Sequence, residues 1–112
     1  MAVGMAAAGG TVVVLTTLKT VSQARRLVRR LVGRRLIACG TIVPGARSLY
    51  RWKARVADEQ EVLVLLKTTR RRWRALEAAI AAEHPYEVPE LLALPVNAGS
   101  GPYLAWVRAE TR

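Results

Sequence analysis

The chain has 112 residues, enough for one domain with a single core and too few for two, since a chain of this size buries only about two thirds of its unfolded surface. With 52% hydrophobic residues it lies outside disordered composition, and no apolar run approaches the ~20 residues that span a bilayer, so no membrane role is expected. The formal charge of +10 would suit a polyanion, yet fifteen of the eighteen basic residues are arginine beside eighteen alanines, a bias that base composition alone produces. No aromatic-basic ladder or groove-reading motif accompanies the charge, so nucleic acid is not expected as a partner.

Residues 1–10 lack a basic n-region and are broken by glycines, which reads as a disordered tail ahead of one domain over 11–112 rather than as a secretory signal. A single cysteine, Cys39, cannot form an intrachain disulfide and suits the reducing cytoplasm.

Thr11 to Thr17 is a β-branched run that predicts the first strand. Thr20 and Gln23 have capping-box spacing, and behind them Leu27, Val28, Leu31 and Val32 recur at helical spacing, with Arg25, Arg26, Arg29 and Arg30 on the other face; this predicts a helix ending near Gly33. Leu36 to Val43 predicts a second strand, with a bulge or bend at Pro44-Gly45 before alternation resumes through Tyr50 and Trp52. The polar stretch Lys53 to Gln60 is expected to turn the chain back into a third strand, Val62 to Leu66. Thr68 and Thr69 offer capping oxygens for a second helix, which carries Trp73, Leu76 and Ile80 on one face and stops before Pro85. Leu91 to Val96 predicts a short fourth strand, and Tyr103, Leu104 and Val107 a terminal helix beside Trp106. The order βαββαβ with a C-terminal helix predicts an α+β, ferredoxin-like sandwich.

Three of these strands, Val12 to Leu15, Val62 to Leu66 and Leu91 to Leu94, are apolar at odd and even positions alike, so both faces need cover. The two crossover helices occupy one face, and a second copy of the chain is the simplest partner for the other. Exposing Leu63 and Leu65 would cost about 1.5 to 3 kcal/mol each relative to burial, so self-association is expected.

Metal binding needs several converging donors, and one Cys with one His 45 positions apart cannot supply them within a chain; a site would have to form between copies from Cys39, His84 and carboxylates. Phosphate-cradling glycine loops are absent, and nothing aligns a nucleophilic triad, so no enzyme is expected. Lys67 continues the Leu63 and Leu65 face and predicts a carboxylate partner, Glu61 or Glu90. The segment His84-Pro-Tyr-Glu-Val-Pro-Glu90 gathers an imidazole, a phenol and carboxylates in a stiff loop, where His84 could shape a pocket or cap the preceding helix and Tyr86 could fill an interface.

The stretches Arg35 to Cys39, Ser48 to Trp52, Glu61 to Thr68, His84 to Glu90 and Tyr103 to Trp106, in this order and spacing, resemble the divalent-cation tolerance (CutA) family from about Thr11 to Trp106. The resemblance implies a ferredoxin-like fold, a homotrimer held by sheet-edge pairing, and a non-enzymatic cytoplasmic protein linked to tolerance of copper and other divalent cations. It places Cys39, His84 and Glu90 at a metal site between subunits, and Tyr50, Trp52, Glu61, Lys67 and Tyr86 in the intersubunit cleft. The family's likeness to the PII signalling proteins leaves an alternative, a small anion held in that cleft against Lys67 and His84. The chain departs from the family pattern at Thr41, where Asn is frequent, and at Ala54, where Gly is frequent and shapes the hairpin turn.

Overall fold

The computed structural model describes residues 10–112; the expected tail, but for Gly10, lies outside the described residues. The elements are β1 (Thr11–Leu18), α1 (Val21–Gly33), β2 (Cys39–Trp52), β3 (Arg55–Thr69), a single 3-10 turn (Arg70–Arg72), α2 (Trp73–Glu83), β4 (Leu92–Pro95) and α3 (Gly101–Glu110). The strands form one antiparallel sheet in the order β2-β3-β1-β4, so each crossover helix spans an intervening strand, which is the ferredoxin-like arrangement.

The start of α1 follows its capping box. Thr20 Oγ1 accepts from Gln23 N at 3.1 Å, and Gln23 reaches back to accept from Lys19 N at 3.1 Å. The helix buries Ala24, Leu27 and Leu31. The second helix starts differently from the threonine-capped expectation: Arg72 occupies its N-cap with no side-chain hydrogen bond, and neither threonine caps it. Thr68 is fully buried and donates through Oγ1 to Leu36 O at 2.7 Å, fastening the segment that enters β2. Leu76, Ala79 and Ile80 turn inward as the periodicity implies, with Trp73 half-buried beside them.

These two helices cover one face of the sheet. Val12, Val14 and Leu18 of β1 and Val62, Val64 and Leu66 of β3 pack there against Leu27, Leu31, Leu76 and Ile80 as one core. Gly40 of β2 is required by this packing, since a Cβ there would lie 2.8 Å and 2.9 Å from the two methyls of Val28 and 3.1 Å from Leu66 Cδ2.

The hairpin of β2 and β3 is longer than the rest of the sheet. Register shifts between Val43 and Ala46, the expected bulge at Pro44-Gly45, with Gly45 at φ 86. Beyond Val62, where pairing with β1 ends, Ala46–Trp52 and Arg55–Glu61 continue as a two-stranded arm. The turn takes two residues, not the whole Lys53 to Gln60 stretch: Trp52 pairs with Arg55, and Lys53 and Ala54 both have positive φ, at 50 and 64. A two-residue loop with left-handed φ at both positions matches the right-handed strand twist, which explains why a polar sequence pairs instead of looping. Ala carries a steric penalty in this region that Gly avoids. Ala54→Gly is therefore expected to stabilise the hairpin by about 1 kcal/mol, read as a rise in melting temperature.

The second sheet face is open. Val13, Leu15, Leu63 and Leu65 are half-buried there, and Val43, Leu92 and Leu94 stand 39%, 53% and 46% exposed. Helix α3 contacts β3 and β1, buries Leu104 and Val107, and is tied down where Arg72 Nε donates to Thr111 O at 2.6 Å. No helix among the described residues is long and apolar enough to cross a membrane.

Candidate functional site on the open sheet face

Antiparallel register fixes which side chains share the open face. Cys39, Lys67, Val13 and Leu94 stand abreast across the four strands, followed by Thr41, Leu65, Leu15 and Leu92, and then by Val43, Leu63 and Thr17. The polar residues singled out in the sequence for one site and its cleft part to opposite ends of this apolar field. One group gathers around Cys39 and Lys67, the other around His84 and Glu61.

At the first end Cys39 is half-buried and its Sγ lies 4.0 Å from Tyr103 OH, a contact from α3. Burial first, then the neighbouring thiol, raises the Tyr103 phenol above its usual range. Lys67 meets neither of its expected carboxylates. Its ammonium donates to Thr41 Oγ1 and, at 3.5 Å, to Leu65 O, so its partners are its own and the adjacent strand. The physical reason is distance: alternation puts Glu61 on the same face, but six residues along β3 and about 20 Å away.

At the second end His84 ends α2 and is buried. Its imidazole turns from the helix end to β1, where Nε2 is 2.8 Å from Thr17 O, while Tyr86 N donates to Nδ1 at 3.1 Å. Because Nδ1 accepts, Nε2 carries the proton and donates to the carbonyl, which fixes one neutral tautomer. Burial lowers the His84 pKa below its ordinary value of 6.5, opposed by the Thr17 carbonyl and the Glu61 charge. Tyr86 stacks edge-on at 4.7 Å from His84 and donates to Glu61 Oε2 at 2.7 Å. Desolvation, then that hydrogen bond and the Glu61 charge, push the Tyr86 phenol far up. Glu61 itself is buried, and Tyr50 donates to Glu59 partway along the arm, which raises the Tyr50 phenol.

The lowered His84 pKa carries a pH consequence. Below about pH 6.5 the unfolded imidazole takes up a proton that the folded one refuses, so stability falls as pH falls from that point toward the folded pKa. His84→Gln, whose amide can still donate to Thr17 O, is expected to flatten this decline between pH 7 and 5 in urea melts.

Of the residues singled out in the sequence, His84, Tyr86 and Glu61 are brought together, Tyr50 stands near them through Glu59, and Trp52 lies at the arm tip with Lys53 Nζ 5.8 Å from its ring centroid. Cys39 and Lys67 sit apart from them: Thr17, which holds His84, is four residues along β1 from Val13, the residue abreast of Lys67, or about 13 Å. Glu90 is exposed in the loop before β4. Among the described residues no cluster of three His, Cys, Asp or Glu side chains could hold a metal ion. Thr41, Tyr103 and Glu59 were missed as contacts; strand register would have found Thr41 and Glu59, and nothing local points from Cys39 to α3.

Residues 12–110 match the CutA1 divalent ion tolerance protein family. A divalent-cation tolerance protein CutA from Thermus thermophilus is 46% identical over 99 residues, 88% of this chain and 96% of that protein. One from Escherichia coli is 43% identical over 101 residues, 90% of each chain. Among solved structures, the divalent cation tolerance protein of Thermus thermophilus superposes with a TM-score of 0.88 at 44% identity, covering 91% of this chain and 99% of its own. CutA from Xylella fastidiosa superposes at 0.89 with 35% identity, covering 92% and 99%. With a family match over residues 12–110 and likeness of this degree over nearly the length of both partners, the chain belongs to the CutA1 divalent ion tolerance protein family.

Proposed function

We propose that this protein works as a cytoplasmic homotrimer without catalytic activity and contributes to divalent-cation tolerance by holding copper or another divalent ion between subunits. The observation that carries this reading is the open sheet face, an apolar field with its candidate donors parted at the ends. A second copy both covers the apolar residues and brings donors of different chains together. The sheet also ends in two unlike edges, the long β2 and the four-residue β4. Joining β2 of one copy to β4 of the next is a head-to-tail contact, which gives a ring of three where the rotation between copies is one third of a turn.

The donors differ in readiness. Cys39 Sγ has only the long contact to Tyr103, and Glu90 makes no ion pair among the described residues. His84 would have to release Thr17 O or Tyr86 N to coordinate, since both ring nitrogens are engaged. Copper(II) leads the divalent affinity order at such N and S donors. Calorimetric titration of the metal-free protein with Cu(II), Zn(II) and Ni(II), with native mass giving subunit count, tests the reading. Saturable copper binding at a fixed number of sites per trimer, weakened about tenfold or more by Cys39→Ser or Glu90→Gln, is the expected result. Weak binding without stoichiometry, unaffected by either substitution, would sink it.

A further inference from the structure

A surface of one charge sign lies on the opposite side from the open sheet face, along the outer side of α1. Arg25 and Arg29 form one i, i+4 ridge and Arg26, Arg30 and Arg34 a second. Successive positions in each ridge are about 6 Å apart along the axis. Such like-charged neighbours destabilise a helix, and α1 has no acidic residue in its first turn to offset them.

One carboxylate answers this face. Glu83 of α2 binds Arg30 at 3.2 Å and Arg34 at 3.1 Å, which occupies both of its oxygens. Arg25, Arg26 and Arg29 have no ion pair or hydrogen bond among the described residues, and with Val21 and Ser22 they line a shallow depression of about 590 Å³. A compositional excess of arginine accounts for the number of guanidiniums; it does not account for three unanswered ones converging on one depression.

We propose that this face of α1 is a docking surface for inorganic polyphosphate, a linear chain of phosphates. Its chemistry selects that partner over other polyanions. Guanidinium forks match phosphate oxygens in pairs, which is all that a phosphate chain needs. A nucleic acid would be held here by its phosphates alone, since Tyr50, Trp52, Tyr103 and Trp106 belong to the arm and to α3 and no aromatic residue lines the depression to stack a base, so its bases would add nothing that a bare phosphate chain lacks. Insertion into a lipid surface would need an apolar face, and that of α1 is buried in the core apart from the exposed Val21 and Val32, which leaves an anionic membrane only the same guanidinium contacts.

The test titrates the full chain with labelled long-chain polyphosphate across about 50 to 200 mM salt. Two triple variants with equal loss of charge are compared: Arg25→Ala with Arg26→Ala and Arg29→Ala, and Arg74→Ala with Arg108→Ala and Arg112→Ala. The first is expected to bind about tenfold or more weakly with a flatter salt dependence, the share of three phosphate contacts, while the second stays within about threefold of the parent. Alanine favours helix, so melting curves of the first variant should match or exceed the parent and exclude misfolding as the cause. Equal weakening of both variants would reduce the effect to net charge and overturn the proposal. So would polyphosphate binding no tighter than orthophosphate, duplex DNA of equal charge, or phosphatidylserine vesicles.

Discussion

Leu65→Asp is expected to leave the protein monomeric at micromolar concentration and markedly less stable, as read by sedimentation and by thermal melts at several dilutions. Leu65 stands in the middle row of the open face, abreast of Thr41 and Leu15. In an isolated chain it is half-buried, and a charge there would retain water on one side. The cost would then be about 1 kcal/mol from strand preference alone. Where a second copy covers the face, the same carboxylate is stripped of water, and the Lys67 ammonium held at Thr41 beside it offsets only part of a cost of several kcal/mol in every subunit. At about 1.4 kcal/mol per tenfold, even ~3 kcal/mol weakens association by more than a hundredfold. Ala78→Asp, on the exposed side of α2, is the matched control. A Leu65→Asp protein that keeps the parent's mass and melting temperature would show that the face is not an interface.

The second large effect is expected inside the core. Gly40→Ala should lower stability by about 1 to 2 kcal/mol, or roughly 5 to 10 °C in melting temperature for a domain of this size. The new methyl would overlap both Val28 methyls, and a β-branched side chain on a helix has one favoured rotamer, so Val28 cannot swing aside. The loss of backbone freedom that alanine brings to the unfolded chain offsets only part of this. Val28→Ala removes the overlap at its source. The double variant should therefore lose less than the sum of the single losses by about 1 kcal/mol, measured as a double-mutant cycle in urea. Strict additivity would mean that α1 does not press on β2 at this point.

Much of the fold was legible because its signals are local. The capping box at Thr20, the inward stripe of α2 and the Pro44-Gly45 break each depend on neighbours within a few residues, and each is realised. The misreadings came where a residue answers to something distant. Thr68 and Thr69 look like caps, yet Thr68 is held by Leu36, 32 positions away. Lys53 to Gln60 looks like a loop because polarity there is read as solvent, whereas the arm is a strand pair polar enough to stand outside the sheet.

The candidate site divides along the same line. Tyr86 with Glu61 and His84 with Thr17 are long-range contacts, though the loop His84 to Glu90 marked both His84 and Tyr86 for attention. The expected pairing of Lys67 with a carboxylate failed on distance along one strand, a quantity that the sequence contains once the strand is drawn at its length. The affiliation with the CutA1 family was carried by the spacing of five short stretches, and the family match covers all but the last residues of the chain after the tail.

The single extra residue at Pro44-Gly45 acts on the arm as a frameshift acts on a message. Before it, odd-numbered residues of β2 share a side with Lys67 and Leu65; after it, the parity changes, and Ala46, Ser48, Tyr50 and Trp52 take that side with Glu61 and Glu59. Were the same residues to pair without the bulge, Gly45 would stand opposite Glu61, and Arg47, Leu49 and Arg51 would follow it onto the side that Tyr50 and Trp52 now hold. One unpaired position thus decides whether the arm offers phenol and indole or guanidinium to whatever lies against it.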